Sequence, residues 1–193
     1  MNGQGDPHSR RTFPPGVAVL GGFVLLVGNP WLNLEIAGAA TGSSPAFRWV
    51  TVLVSYPAWH VDVDRAGPFL FWYANLRVVL FVLLTVAGLA RMRRWAGEAD
   101  VGAARLVTTV GLTTLGAVAA ALLSGLVAVS LLDEQGARPY IIAGEAEEFF
   151  LTQFGTAAVF GVLFGSVLGA VVAAQRRKPA HRERPAQAPK SLW

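Results

Sequence analysis

Four apolar stretches, each long enough to cross a lipid bilayer, constrain this chain more than any other feature of its sequence. A helix needs about 20 mostly apolar residues to cross a hydrocarbon core of about 30 Å. The chain is 53% hydrophobic and only 15% charged, whereas soluble domains carry about 25% charged residues. The sequence therefore predicts an all-α membrane protein, a bundle of four transmembrane helices. The stretches are residues 15–36, 69–92, 104–132 and 149–174.

The first of these stretches is the least regular. Gly28, Asn29 and Pro30 interrupt it. A helix that stopped at Val27 would have about 12 residues, which is too short to cross a bilayer. We therefore expect the first helix to continue to residue 36 with a kink near Pro30.

The N-terminal segment also has features of an export signal. "SRRTF" at residues 9–13 is similar to the start of a twin-arginine signal, and "AGA" at residues 37–39 is similar to a small-residue cleavage site. The alternative is that Arg10 and Arg11 are ordinary cytoplasmic charges before a retained helix. We favour retention, because export of a folded protein would be unusual for a chain with three further spans.

The distribution of charge indicates the orientation, because Lys and Arg concentrate in cytoplasmic segments. One side of the predicted bundle holds twelve basic and four acidic residues, whereas the other side, with Arg77 included, holds four basic and eight acidic residues. We therefore expect a multi-pass plasma-membrane protein with both termini in the cytoplasm. The cytoplasmic segments are then 1–14, 93–103 and 175–193, and the outer loops are 37–68 and 133–148.

The basic tail suggests which partners the chain meets. Residues 175–193 are rich in arginine and proline, so we expect them to be disordered and to lie near anionic lipids at the cytoplasmic face. The net charge is only +4, which favours a membrane surface over nucleic acid as the partner. Fourteen arginines against two lysines are typical of a GC-rich bacterial genome.

The outer loop between the first two spans is long enough to have its own structure. "FRWVTVLVSY" at residues 47–56 is rich in β-branched and aromatic residues, and "HVDVD" at residues 60–64 alternates polar with apolar residues. With Pro57 between them, these segments predict a small β-hairpin. A short interfacial helix over residues 47–56 is the alternative.

The fourth span carries a repeat of small residues. Gly161, Gly165 and Gly169 recur every four residues and therefore share one helical face, where another helix can approach closely. We expect this face to pack against the third span. A homo-oligomer or another membrane protein is the alternative partner.

Arg77 is the most unusual residue of the second span, since it lies about 12 Å below the predicted outer boundary and is costly there unless it pairs, snorkels or faces water. Polar side chains from three spans lie at a similar depth. In one interpretation Arg77 pairs with Glu35 or Glu148 and fixes the helix register. In the other, the cluster forms an outward-facing pocket in which Arg77 binds an anionic group. The cluster comprises Arg77, Asn29, Asn33, Glu35, Asn75, Glu148 and Gln153.

A second candidate site lies in the outer loop. His60, Asp62 and Asp64 alternate along the chain, so on a strand all three side chains would point the same way. Imidazole and carboxylate groups suit several divalent metals. Because an exposed polar loop is more often simply solvated, we expect no cofactor.

The motifs of common enzymes are missing from the sequence. It contains no G-x-S-x-G elbow, P-loop or H-E-x-x-H motif, and no cysteine. We therefore favour a non-enzymatic structural or accessory component of a membrane assembly. The alternative is a small transporter or a lipid- or anion-binding protein that uses the pocket around Arg77.

Overall fold

Seven α-helices account for almost all of the chain that the structure, a computed structural model, describes. The described residues are 14–39, 45–95, 102–131 and 146–174, and they contain no strand. The predicted N-terminal signal motif, most of the second outer loop and the basic tail lie outside them. The helices are α1 (Pro15–Val27), α2 (Pro30–Ala39), α3 (Pro45–Ser55), α4 (Val63–Ala66), α5 (Pro68–Trp95), α6 (Gly102–Leu131) and α7 (Ala146–Ala174).

Three helices in the described part of the chain are long and apolar enough to cross a membrane. The segments that qualify are Pro68–Met92 of α5, Gly102–Leu131 of α6 and Glu147–Ala174 of α7. Many of their large apolar side chains are exposed, and Leu115 of α6 has 72% of its surface accessible. Exposed apolar surface on this scale is typical of helices that face lipid. The chain therefore has the character of a multi-pass membrane protein.

The predicted first span is divided into two helices, so the count of four transmembrane helices is not supported. The helix α1 has 13 residues and is about 20 Å long, which is shorter than the hydrocarbon core. It ends at Val27, and α2 begins at Pro30. Proline favours the first position of a helix but cannot continue one, so the kink expected near Pro30 is a break over Gly28 and Asn29.

The break at Gly28 is packed against the loop that follows α3. The Trp59 backbone N–H donates a hydrogen bond to the Gly28 carbonyl oxygen at 3.2 Å. A Cβ atom at Gly28 would overlap the Pro57 carbonyl oxygen. Because this neighbour is backbone, it cannot move aside alone, and only glycine allows the loop to pass so close to the end of α1.

We therefore expect Gly28→Ala to destabilise the protein by about 1–3 kcal/mol, the usual cost of overpacking. Gly22→Ala is the matched control, because a Cβ atom at Gly22 on the same helix meets no atom within 4 Å. Thermal unfolding in detergent, followed by tryptophan fluorescence, measures both variants. Equal unfolding temperatures for the two variants would contradict the close approach.

The predicted β-hairpin of the outer loop is wrong, and the alternative helix is present. Residues 45–55 form α3, which starts at a proline in the favoured first helical position. β-branched residues favour a strand only where a pleated neighbour exists. Here Val54 is buried, and Val52 and Leu53 pack against the core of the bundle. In "HVDVD", the Asp62 side chain accepts hydrogen bonds from the Asp64 and Arg65 backbone N–H groups and caps α4, so the alternation does not produce a strand.

The helix α6 lies between α5 and α7 and packs along both of them. The glycines of α7 face α6 in a regular antiparallel register. A Cβ atom at Gly165 would lie 3.0 Å from Val110 Cα, and one at Gly169 would lie 3.2 Å from the Leu106 carbonyl oxygen. One turn further along, Gly161 meets Thr114, where a Cβ atom would overlap the Thr114 Cα atom. The small-residue face therefore brings the two backbones together.

The helices α1 and α3 cover the side of the bundle formed by α5 and α7. Tyr56, just after α3, is the central contact. Its ring stacks on Phe160 with centroids 4.0 Å apart and meets Phe81 edge-on. Its hydroxyl donates a hydrogen bond to the Ala117 carbonyl oxygen in the middle of α6 at 2.6 Å. The end of α3 therefore penetrates to the centre of the bundle.

Candidate functional site

Arg77 lies on α5 and is buried, with only 8% of its surface exposed. Its guanidinium carbon is 4.8 Å from the centroid of the Tyr56 ring and 5.0 Å from that of Tyr73. Both distances are typical of cation–π contacts, which gain strength when the cation is desolvated. Two aromatic rings therefore replace much of the water that would otherwise surround this charge.

One polar partner of Arg77 is a backbone carbonyl. Its Nη2 donates a hydrogen bond to the Ser55 carbonyl oxygen at 3.2 Å. Ser55 is the last residue of α3, where carbonyl groups lack partners within the helix and the helix dipole is negative. Arg77 therefore caps α3 and neutralises the partial charge at its end.

No carboxylate pairs with Arg77 among the described residues. Glu35 and Glu148, the two expected partners, are both exposed. The Arg77 Nε atom is buried and has no hydrogen-bond partner within the described part of the chain. The geometry thus fixes the position of α3 against α5 through a carbonyl group and two rings, and not through an ion pair.

The other members of the predicted polar cluster are divided among local contacts. Asn29 accepts a hydrogen bond from the Trp31 backbone N–H at 3.0 Å. Asn33 donates to the Val54 carbonyl oxygen at 2.6 Å and joins α2 to α3. Gln153 accepts from the Tyr73 hydroxyl at 2.7 Å and joins α7 to α5.

Asn75 ties the loop after α3 to α5. It accepts a hydrogen bond from the His60 backbone N–H at 3.0 Å and donates one to the His60 carbonyl oxygen at 2.9 Å. Together with the contacts of Asn33 and Arg77, this pair holds the α2–α3 region on the bundle. Each of the four amides of the cluster is therefore used in packing.

A cavity of about 510 Å³ lies beside this region, and we call it the α2–α4 cavity. Its size falls in the range of about 300–1,000 Å³ that is usual for small-molecule sites. Arg77 does not line it. The lining combines two indoles, polar side chains and apolar groups, from Pro30, Trp31, Asn33, Ala58, Trp59, His60, Val61, Asp62, Arg65, Ala66 and Leu70.

The ionisable groups of the cavity are Arg65, Asp62 and His60. Burial lowers the pKa of His60, and the positive charge of Arg77 lowers it further, so its imidazole is neutral at neutral pH. Arg65 and Asp62 are exposed to the cavity, and no ion pair joins them in the described part of the chain. The lining therefore presents separated positive and negative groups with no net charge.

The three residues of the predicted metal site are not arranged as ligands. His60 is half-buried beside Asn75, and Asp62 Oδ1 caps α4. Among the described residues, no group of three histidine or acidic side chains has a geometry that could hold a metal ion.

Sequence reasoning missed Tyr56, Ser55, Trp59 and Arg65. The sequence did hold a sign of Tyr56's importance. It is a large aromatic residue at the end of an apolar segment, directly before a proline. The Ser55 contact carried none, since any residue supplies a backbone carbonyl. Comparison with protein families, with curated proteins and with solved structures finds no match to this chain.

Proposed function

We propose that this multi-pass membrane protein binds a small amphipathic molecule in the α2–α4 cavity. The observation that carries the proposal is the lining. Trp31 and Trp59 supply apolar faces with a polar edge, while Asp62 and Arg65 supply charges that form no ion pair within the described part of the chain. Pockets of this kind, mostly apolar with a few convergent polar groups, are typical of ligand sites.

The position that we propose for the cavity, at the interface between membrane and water, favours an amphipathic ligand. It lies at the N-terminal end of α5, beside Leu70, where aromatic residues such as Trp72 are exposed. Tryptophan is enriched where lipid headgroups meet hydrocarbon. The charge distribution along the chain favours the outer face for this end, and the plasma membrane as its location.

This arrangement also bears on the topology that we propose. With both termini in the cytoplasm, α1 and α2 together form a broken fourth crossing, and α3 returns into the bundle from the outer side. Gly16 supports this, because it packs against Leu89 and Val172, near the ends of α5 and α7 that we assign to the cytoplasm. The basic segments there would contact anionic lipids.

The accessory role expected from the sequence ranks second. It rested on the absence of common enzyme motifs and on the glycine face of α7, and that face packs against α6 within the same chain. That face no longer calls for a homo-oligomer or another membrane protein as its partner. The cavity, by contrast, has two charged groups that form no ion pair among the described residues.

The proposal is tested by filling the cavity. Ala66 lines it, so we expect Ala66→Phe to exclude a molecule that copurifies with the wild-type protein in mild detergent and is identified by mass spectrometry. Ala90→Phe is the matched control, because Ala90 is an exposed residue on α5 outside the lining. If the wild-type protein and the Ala66→Phe variant copurify with the same molecules in the same amounts, the proposed function is wrong.

A further inference from the structure

The two charged groups of the α2–α4 cavity form no ion pair with each other or with another group in the described part of the chain. Asp62 Oδ1 accepts hydrogen bonds from the Asp64 N–H at 2.9 Å and from the Arg65 N–H at 3.3 Å. These contacts fix the Asp62 carboxylate and the Arg65 backbone relative to each other. Asp62 Oδ2 makes no hydrogen bond within the described part of the chain. A positive and a negative group thus face one cavity without neutralising each other.

The aromatic residues of the lining favour a cation beside the acid. Trp31 has 72% of its surface exposed, and Trp59 contributes a second indole. Indole faces attract ammonium groups, and tryptophan is the strongest of the aromatic residues in this respect. Arg65, in contrast, suits a phosphate, since a guanidinium can donate two parallel hydrogen bonds to its oxygens.

The charges of Asp62 and Arg65 sum to zero, and this favours a ligand that carries both charges over a purely anionic or purely cationic ligand. A purely anionic ligand would bury the Asp62 carboxylate without an opposite charge. A purely cationic ligand would do the same to the Arg65 guanidinium. An unpaired charge of this kind costs several kcal/mol when it is fully desolvated. A ligand that carries both charges satisfies both residues.

We propose that the α2–α4 cavity binds a molecule with a phosphate and an ammonium group, namely the headgroup of a zwitterionic phospholipid, with the phosphate at Arg65 and the ammonium at Asp62. This inference rests on the proposed function and specifies its ligand. The apolar residues Pro30 and Leu70 at the same cavity then contact the glycerol and the first part of the acyl chains.

The test compares lipids that differ only in the headgroup. Short-chain phosphatidylcholine, phosphatidylethanolamine and phosphatidylglycerol are titrated into the full-length protein in detergent, and bound lipid is counted by native mass spectrometry. We expect both zwitterionic lipids to bind about tenfold more tightly than phosphatidylglycerol, a difference of about 1.4 kcal/mol. Glycerophosphocholine, which has no acyl chains, should bind more weakly than phosphatidylcholine. Equal or tighter binding of glycerophosphocholine would overturn a lipid as the ligand.

Two substitutions test which residue contacts the ammonium group and which contacts the phosphate. Asp62→Asn removes the charge but keeps the cap, because asparagine is as good a cap as aspartate, and it should abolish the preference over phosphatidylglycerol. Arg65→Gln should weaken all three lipids. The matched controls are Asp64→Asn on the same helix and Arg94→Gln at the far end of α5, since neither residue lines the cavity, and both should bind as the wild type does.

The possible failures are distinguishable. Tighter or equal binding of phosphatidylglycerol by the wild-type protein overturns the headgroup assignment and leaves the proposed function standing. Equal effects of Asp62→Asn and Asp64→Asn overturn the role of Asp62. If none of these molecules binds and Ala66→Phe copurifies with the same molecules as the wild type, both the assignment and the proposed function fail.

Discussion

Replacing Gly161 with alanine is expected to push α6 and α7 apart and to lower the unfolding temperature of the protein in detergent by up to about 10 °C. The new Cβ atom would overlap the Thr114 Cα atom, and a backbone atom cannot rotate away as a side chain can. Overpacking of this kind costs about 1–3 kcal/mol. Each kcal/mol corresponds to about 2–4 °C for a chain of this size.

Alanine also has an advantage that opposes this loss. It favours a helix over glycine by about 0.5–1 kcal/mol. Gly155→Ala isolates that gain, because a Cβ atom at Gly155 on the same helix meets no atom within 4 Å. We therefore expect the two substitutions to have opposite signs, with Gly155→Ala neutral or slightly stabilising. A Gly161→Ala protein as stable as the Gly155→Ala protein would contradict the observed register of α6 and α7.

Replacing Arg77 with methionine is expected to release the end of α3 while α5, α6 and α7 stay packed. The variant loses a hydrogen bond from a charged donor to the Ser55 carbonyl oxygen, worth about 1.5–3 kcal/mol. It also loses cation–π contacts with two tyrosine rings, each worth about 0.5–2 kcal/mol. Methionine recovers part of this, because it removes the buried charge and its Nε atom, which has no hydrogen-bond partner among the described residues, and so avoids the cost of desolvating them.

The readout is therefore local. We expect amide hydrogen exchange in residues 51–60 to accelerate about ten- to a hundredfold, which corresponds to about 1.4–2.8 kcal/mol. Arg77→Lys keeps the charge but loses the flat stacking surface and should lie between the wild type and Arg77→Met. Tyr56→Phe keeps the ring and loses only the bond to Ala117, so its effect should be smaller, about 0.5–1.5 kcal/mol.

The control for this series is Arg94→Met, since Arg94 is exposed at the end of α5. Unchanged exchange in residues 51–60 of the Arg77→Met protein would contradict the capping role. If that protein also lost a bound molecule, Arg77 would be a ligand-binding group, as the pocket interpretation of the sequence holds.

The long helices could be predicted from the sequence because their signal is local. About 20 successive apolar residues suffice, whatever the rest of the chain does. The spacing of Gly161 and Gly165 likewise indicated a packing face without any knowledge of the neighbour. Arg77 was identifiable as a residue that requires partners, because its charge and its position within the second span can both be read from the chain.

The partners of Arg77 could not be predicted, and the reason is physical. A search for opposite charges finds Glu35 and Glu148, whereas the observed partner is a backbone carbonyl at a helix end. Its polarity depends on where α3 stops. The β-branched residues before Tyr56 suit a strand or a helix, and only packing against Phe160 decides between them. The α2–α4 cavity needs segments around Pro30, Ala58 and Leu70 to converge.

The stacking of Tyr56 on Phe160 also has a consequence for biogenesis. The two rings are 104 positions apart in the chain, and translation proceeds at about 5–20 residues per second. The N-terminal third must therefore wait about 5–20 s after its own synthesis before its docking surface exists. During that interval Tyr56 and the unshielded end of α3 are available to the insertion machinery or to chaperones. The helix α7 thus completes the fold of the first part of the chain.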